Sequence, residues 1–159
     1  MEIKIIHQNK KDYLDLLLLA DEQEDMIDRY LERGTLFALH DGDLKSTCVV
    51  THEGFNEKGA DTYEVQSLAT YPQHQKQGYG RYLLNYVCEV YKGEGRTMLV
   101  GTGDHLPSIS FYERSGFVLS HRVENYIVEH YDKPIYEDGV QLKDKVYLRR
   151  SLQPDERQC

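Results

Sequence analysis

The chain has 159 residues, which is enough for one domain that buries about two-thirds of the surface of its unfolded state, and we expect residues 1–159 to form a single domain. Its formal net charge of −8 at pH 7 argues against a nucleic-acid partner, because clustered positive charge supplies most of the affinity for nucleic acid. The same acidity favours encounter with a cation, although it also serves ordinary solubility.

The sequence carries no signal for a membrane or for secretion. Residues 1–4 lack a basic stretch followed by an apolar one, and the longest apolar run, residues 16–20, is too short to cross a bilayer. Cys48, Cys88 and Cys159 are far apart and form no C-x-x-C pair, so we expect reduced thiols and no metal site. These features predict a cytoplasmic protein.

The first half of the chain predicts two helices followed by an antiparallel group of strands. A short apolar strand at 3–6 precedes a leucine-rich helix at 12–20. A second helix at 22–33 ends at Gly34, in a typical C′ position. Asp41-Gly42 is a strong hairpin signal. It belongs to a meander of three predicted strands, which lie at 37–39, 46–51 and 62–70.

In the second half, helices and strands alternate. A long helix at 78–91 carries an apolar stripe formed by Leu83, Leu84, Val87, Cys88 and Tyr91. The remaining predicted elements are a strand at 97–100, a helix at 107–115, a strand at 117–128 and a last strand at 146–149. Pro134 and Asp138-Gly139 break the chain before that last strand.

The loop between the strand at 62–70 and the helix at 78–91 has the features of a phosphate-binding loop. It contains Gln75-Lys76-Gln77-Gly78-Tyr79-Gly80, in which the glycines let the main chain approach a ligand at the positive end of the helix dipole. A dinucleotide fingerprint is excluded because Leu83 stands where its third glycine would be, and a P-loop is excluded because no Gly-Lys-Ser/Thr follows.

This Q-x-x-G-x-G pattern resembles the acyl-CoA pyrophosphate loop of the GNAT superfamily of N-acetyltransferases. A second family landmark follows in the right order, Ser110-Phe111-Tyr112-Glu113-Arg114-Ser115-Gly116-Phe117. The resemblance implies an α/β (α+β) fold with a mixed, mostly antiparallel sheet of about seven strands flanked by four helices, in the order β-α-α-β-β-β-α-β-α-β-β. It also implies a bacterial enzyme whose fourth and fifth strands splay apart to admit acetyl-CoA.

The resemblance further implies which residues hold the cofactor. Main-chain groups near Leu68 and Ala69 would polarise the thioester carbonyl and pair with pantetheine like an added strand. Lys76 and Arg81 would add charge at the rim of the loop, where simple solvation is an equal alternative. The expected cofactor-binding residues are Leu68, Ala69, Thr70, Gln75, Lys76, Gln77, Gly78, Tyr79, Gly80, Arg81, His105 and Tyr112.

His105 marks a departure from the family pattern. Many members carry an asparagine seven residues before the helix tyrosine, at a position that contacts the CoA arm, and here that position is His105. Asp104 is a substitute for that contact, with a role in the turn before Pro107 as its alternative.

Acyl transfer to an amine requires a base, and Glu64 is the first candidate. Strand alternation places it on one face with Gln66, Leu68 and Thr70. Its position eleven residues before Gln75 matches the glutamate of the histone-acetylating branch, so the resemblance implies a base that acts directly or through water. A solvated strand residue is the alternative for Glu64, and the other candidate bases are His52, His105 and His130.

The resemblance implies that Tyr112 is the acid that protonates the departing thiolate. Its alternative is an ordinary helix tyrosine packed beside Ile109. We expect direct transfer in a ternary complex, because Cys88 lies on the apolar face of its helix and Cys159 ends a polar tail, so neither suits an acyl-cysteine intermediate.

The acceptor is the least specified part of the reaction. We expect a small cationic primary amine, with the acidic residues of 22–33 lining its side of the site. The aromatic and acidic residues of 125–139 provide a second candidate surface, for which a solvated linker is the alternative. The other functions left open are a CoA-binding regulatory module without transferase activity and, for assembly, a homodimer.

Overall fold

The computed structural model describes residues 1–154, so Cys159 lies outside the described residues. Its strands are β1 (Glu2–Ile6), β2 (Thr35–Asp41), β3 (Asp43–Phe55), β4 (Asp61–Thr70), β5 (Thr97–Gly103), β6 (Val118–Val123), β7 (Ile135–Glu137), β8 (Val140–Leu142) and β9 (Lys145–Ser151). Its α-helices are α1 (Leu14–Ala20), α2 (Glu24–Ile27), α3 (Tyr79–Val90), α4 (Leu106–Arg114) and α5 (Tyr126–His130). Short 3₁₀ turns precede α1 and α3, at Lys10–Tyr13 and Pro72–His74.

Seven strands form one sheet in the order β1-β2-β3-β4-β5-β9-β6, and β7 pairs with β8 in a separate hairpin. Within the large sheet, β4 and β5 are parallel and every other neighbouring pair is antiparallel. The predicted mixed, mostly antiparallel sheet of seven strands is therefore confirmed. The predicted Asp41-Gly42 hairpin is also present, with Gly42 at φ 80° in the β2–β3 turn.

The sheet has a hydrophobic core on each face. On one face, the predicted stripe of α3 packs against Phe37, Cys48 and Val65 of the sheet. On the other face, Leu17 of α1 and Ile27 of α2 pack against the central strands. Apolar residues of β2 and β3 therefore alternate between the two cores. Among residues 1–154, no helix has the length and apolar character that crossing a bilayer requires.

Residues 22–33 do not form the long helix that their apolar spacing predicts. Helix α2 covers only Glu24–Ile27, and the chain then continues in turns as far as Gly34. The amides of Arg29 and Tyr30 bond to carbonyls three residues earlier, which tightens the chain away from α-helical geometry. Tyr30 and Leu31 are nevertheless buried, so the turns bring these side chains into the core as the predicted helix would have done.

The predicted strand at 117–128 is also wrong in its second half. Strand β6 ends at Val123, and Asn125 (φ 59°) turns the chain into α5 while its amide donates to Asp144. The predicted break at Asp138-Gly139 is instead the turn of the β7–β8 hairpin, with φ of 49° and 78°. Such three-residue strands are too short to leave a period in the sequence.

Lys10 is a buried lysine whose hydrogen bonds hold the segment 31–34 in place. Its Nζ donates to the carbonyls of Leu31 (3.0 Å), Glu32 (3.2 Å) and Gly34 (2.7 Å). The Lys10→Met substitution leaves these acceptors without a cation, so we expect the free energy of unfolding to fall by about 2 kcal/mol in urea titrations.

Lys11→Met is the matched control for this substitution. The ion pairs of Lys11 with Glu24 (2.7 Å) and Asp28 (2.6 Å) are exposed to solvent, so we expect a much smaller loss than for Lys10→Met. Equal losses in the two variants would contradict the stabilising role of Lys10.

Candidate active site

A gap opens in the centre of the sheet where β4 and β5 separate. The two strands pair with each other from Thr62↔Thr97 to Val65↔Val100. Beyond this point, β4 continues to Thr70 and β5 to Gly103 without pairing with each other. A cavity of about 950 Å³ fills this gap and extends to both faces. A smaller cavity of about 690 Å³ lies at the opposite end of the sheet, between the loops at 58–61 and 92–96, away from the predicted site residues.

The predicted phosphate-binding loop lines one end of the large cavity. Gly78 caps α3 with φ 90°, and Lys76 also has a positive φ of 63°, so the chain curls around the helix start. A Cβ at Gly80 would lie 3.4 Å from Thr70 Oγ1, which shows how closely α3 approaches the end of β4. The loop residues that line the cavity are Gln75, Lys76, Gly78, Tyr79, Gly80 and Arg81.

Several loop side chains are engaged within the protein. Gln75 Nε2 donates to the Thr70 carbonyl at 3.1 Å, and Tyr79 OH donates to Asp41 Oδ2 at 2.8 Å. Gln77 does not line the cavity, and its side chain points back to the Gln73 carbonyl. Arg81 reaches across to the carbonyl of Arg114 in α4 at 3.2 Å, which ties the loop to the helix of the second landmark.

A β-bulge decides which side chains of β4 share a face. Val49 pairs with Ser67 but Val50 pairs with Val65, so Gln66 is an extra residue on β4. Glu64 and Ser67 therefore lie together on the α1 side of the sheet. The predicted shared face of Glu64 with Leu68 and Thr70 is wrong, because strict alternation does not survive a bulge.

Around the bulge, Leu68 and Thr70 line the cavity and Ala69 does not. Leu68 pairs with Cys48 and packs on the α3 side, whereas the Ala69 side chain is buried opposite Thr47 on the α1 side. Beyond Val65, no strand within residues 1–154 pairs with the β5-facing edge of β4, which is therefore open where Gln66, Ser67, Leu68 and Thr70 line the cavity.

Glu64 is a buried carboxylate at the point where the strands separate. Only 7% of its surface is exposed, and it pairs with Thr51 on β3 and Leu99 on β5. Burial raises the pKa of Glu64 above its ordinary value, and the positive charge of Lys145 opposes that rise. A carboxyl with a raised pKa in a cavity is suited to exchange a proton near neutral pH.

Tyr112 faces the same cavity from α4. Its ring makes edge contacts with Phe111 and Phe117, at centroid distances of 5.1 and 5.8 Å. Burial raises the pKa of Tyr112 well above its ordinary value, so the phenol keeps its proton at physiological pH. Such a group is a proton donor rather than a base.

Of the three candidate histidines, only His105 lines the cavity. It caps α4, contacts Ser108 Oγ at 3.2 Å, and pairs through Nε2 with Asp138 Oδ2 at 2.7 Å. His52 contacts Asp61 near the far end of β4, and His130 stacks on Tyr126. Asp104 accepts a hydrogen bond from the Lys143 amide at 2.9 Å, which is a structural role in the loop.

The Glu64 side of the cavity is lined by residues from distant parts of the chain, and apart from Glu64 no sequence motif identifies them. Asp21 accepts hydrogen bonds from Tyr131 (2.7 Å) and Tyr30 (3.1 Å), and burial raises its pKa despite these bonds. The segments predicted to lie near the acceptor both contribute to this half. We call this group the acceptor half, and its members are Asp21, Tyr30, Glu64, Ser67, Tyr126, Tyr131, Lys145 and Tyr147.

Comparison with known proteins agrees with this geometry. Residues 5–117 match the model of the acetyltransferase (GNAT) family. An uncharacterized N-acetyltransferase of Bacillus subtilis strain 168, YvbK, is 31% identical over 96% of this chain and 97% of its own length.

Two solved structures resemble this one over 94% of the chain and 97% of their own length. A GNAT family acetyltransferase of Elizabethkingia anophelis with acetyl-CoA bound has a TM-score of 0.82 at 27% identity. An IAA acetyltransferase of Bacillus cereus ATCC 14579 has a TM-score of 0.81 at 28% identity. The chain therefore belongs to the acetyltransferase (GNAT) family and is an N-acetyltransferase that uses acetyl-CoA.

Proposed function

We propose that the protein transfers the acetyl group of acetyl-CoA directly to a small primary amine in a ternary complex. The observation that carries this proposal is the continuity of one cavity, which joins the phosphate-binding loop and Tyr112 to Glu64 through the gap between β4 and β5. Donor and acceptor can therefore occupy the site together, one from each side of the gap. Direct transfer requires the amine to lie close to the thioester, and a shared cavity allows this.

The properties of the cysteines also favour direct transfer. Burial raises the pKa of Cys88 to about 11, and the pKa of the fully buried Cys48 rises further. Neither thiol lines the cavity, so within residues 1–154 no cysteine is placed to carry the acetyl group.

Each step of the reaction has a candidate group in the cavity. The acceptor ammonium passes a proton to Glu64, and the free amine attacks the thioester carbon. Main-chain amides at the splayed edge of β4 hydrogen-bond the developing oxyanion, with Leu68 and Ala69 as the predicted site. As the C–S bond breaks, Tyr112 gives its phenolic proton to the departing CoA thiolate, and the second proton lost by the attacking nitrogen as the amide forms returns to the Tyr112 phenolate through water.

The charge of the acceptor half favours a cationic amine. In and around the acceptor half, the cavity is lined by the acidic residues Asp21, Glu22, Glu53, Glu64 and Glu137 and by the basic residues Arg29, Arg33 and Lys145. Arg33 is already paired with Glu53 at 2.7 Å. An ammonium group therefore enters a region of net negative charge.

Binding of acetyl-CoA is the first test. At a ligand concentration of a hundred times Kd, acetyl-CoA should stabilise the fold by about 2.7 kcal/mol in a thermal-shift titration. The Gly80→Val substitution should remove this stabilisation, because its methyl groups fill the space between Thr70 Oγ1 and the loop. A Gly80→Val protein that melts normally without ligand yet responds fully to acetyl-CoA would count against the predicted loop.

Thiol release on a panel of primary amines then separates an enzyme from a CoA-binding regulatory module. We expect thiol release that depends on the amine and that reaches well above the hydrolytic background. Background hydrolysis with every amine, together with normal acetyl-CoA binding, would favour the regulatory module. Assembly as a homodimer stays a prediction.

A further inference from the structure

The Lys145 ammonium lies in the acceptor half, where no oxygen of residues 1–154 accepts a hydrogen bond from it. Its Nζ is 4.7 Å from the ring centroid of Tyr126 and 5.0 Å from that of Tyr147. Ring faces balance the charge of an ammonium but do not satisfy its three N–H donors. Within residues 1–154, no carboxylate lies within 4.0 Å of this nitrogen and no hydrogen-bond acceptor contacts it.

The lack of a side chain at Gly101 leaves room for Lys145 beside the point where β4 and β5 separate. Tyr147 pairs with Gly101 on β5, and a Cβ at Gly101 would overlap Lys145 Cε and lie 2.9 Å from Tyr147 Cε1. The Lys145 stem therefore passes over bare main chain, close to the residue where β4 and β5 separate. It lies in the same cavity as Glu64, whose pKa its charge lowers.

A second unused donor lines the same cavity. Ser67 is 4% exposed and lies on the Glu64 face because of the bulge, and its Oγ, which lies near the Tyr30 hydroxyl, has no hydrogen-bond partner within 3.5 Å among residues 1–154. Buried polar groups without partners are rare in folded proteins, and at a binding site they indicate a ligand atom. The acceptor half thus combines carboxylates that suit an ammonium with donors that suit an anionic oxygen.

We propose that the acceptor is an amine that also carries a carboxylate, an amino acid or a close analogue, whose carboxylate binds Lys145 Nζ while its amine faces Glu64. This inference rests on the proposed function and specifies the acceptor more closely. It keeps a cationic amine as the reacting group and adds a second, anionic group to the molecule. Ser67 Oγ supplies a further hydrogen bond to the same carboxylate.

The test compares three amino acids with the amines that lack only the carboxylate. The pairs are leucine with 3-methylbutylamine, phenylalanine with 2-phenylethylamine, and lysine with 1,5-diaminopentane. For each pair, the ratio of kcat/KM values is measured in the wild type and in Lys145→Met. Comparing the two proteins cancels the different intrinsic basicities of the two amines.

We expect Lys145→Met to lower the ratio by about 10- to 100-fold for at least one pair, the size expected for a lost hydrogen bond to a charged group. Any effect of Lys145→Met on Glu64 acts on both members of a pair and cancels in the ratio, and a melting temperature close to that of the wild type verifies folding. Lys145→Arg should retain part of the preference, and Lys143→Met, on the exposed neighbouring loop, should leave the ratio unchanged.

An equal loss on both members of every pair would overturn the inference, because it would reveal a role in packing or in tuning Glu64. If the wild type acetylates simple amines and Lys145→Met leaves the ratio unchanged for every pair, the inference is overturned as well, whereas the proposed function stands. If the wild type acetylates no amine, the proposed function fails. Calorimetry on the CoA-loaded protein then decides the inference, since binding of leucine, phenylalanine or lysine by the wild type but not by Lys145→Met supports it and no binding overturns it.

Discussion

The Glu64→Gln substitution should lower kcat/KM for the preferred amine by about 10² to 10⁴-fold, the usual contribution of a positioned base. The change keeps the size of the side chain and removes only its ability to take a proton. Because Glu64 is 7% exposed at the separation of β4 and β5, no bulk water replaces it readily. Steady-state thiol release measures the loss, with Glu57→Gln in an exposed loop as the matched control.

The pH profile gives this prediction a signature that misfolding does not mimic. Burial raises the pKa of Glu64, and only the ionised carboxylate acts as a base, so wild-type kcat/KM should rise with pH around a midpoint above that of an ordinary glutamate. Glu64→Gln should lose this limb. An unchanged limb would instead assign the base to another group, with His105 as the candidate histidine that lines the cavity.

Stability should move in the opposite direction from activity. A carboxyl whose folded-state pKa is raised stabilises the fold below that pKa and loses this contribution as the pH rises through it. Above that pKa the ionised Glu64 therefore opposes folding, and there the neutral Glu64→Gln protein should be no less stable than the wild type. A large loss of stability at pH 7 would mean that Glu64 has a structural role.

The Tyr112→Phe substitution should lower kcat by about 100-fold and leave the KM for acetyl-CoA nearly unchanged. The substitution removes the proton given to the thiolate, but it keeps the ring that packs between Phe111 and Phe117. Burial raises the pKa of Tyr112, so its proton is present throughout the assay range and no pH limb should arise from it.

Tyr82→Phe, on the exposed face of α3, is the control for removal of a hydroxyl group. A fall in kcat that exceeds about tenfold only for Tyr112→Phe supports the role of the acid. If instead Tyr112→Phe raises the KM for acetyl-CoA with kcat unchanged, the hydroxyl binds the cofactor and does not protonate the leaving group.

The sequence by itself determined the position of the predicted phosphate-binding loop and of Tyr112, both of which line the cavity. The loop is a run of consecutive residues whose backbone conformation depends on Gly78, with φ 90°, and on the start of α3. Tyr112 is likewise part of a contiguous helical motif. Local chemistry of this kind depends on neighbours in the chain, so the spacing of residues was enough to predict it.

Only the tertiary structure decided which residues form the acceptor half. The face on which Glu64 lies depends on a bulge that exists only when β3 pairs with β4. Asp21 meets Tyr131 across more than a hundred residues, and Lys145 reaches the gap because β9 inserts beside β5. Strand order and register arise from the packing of distant segments, and a pattern of local residue types does not specify them.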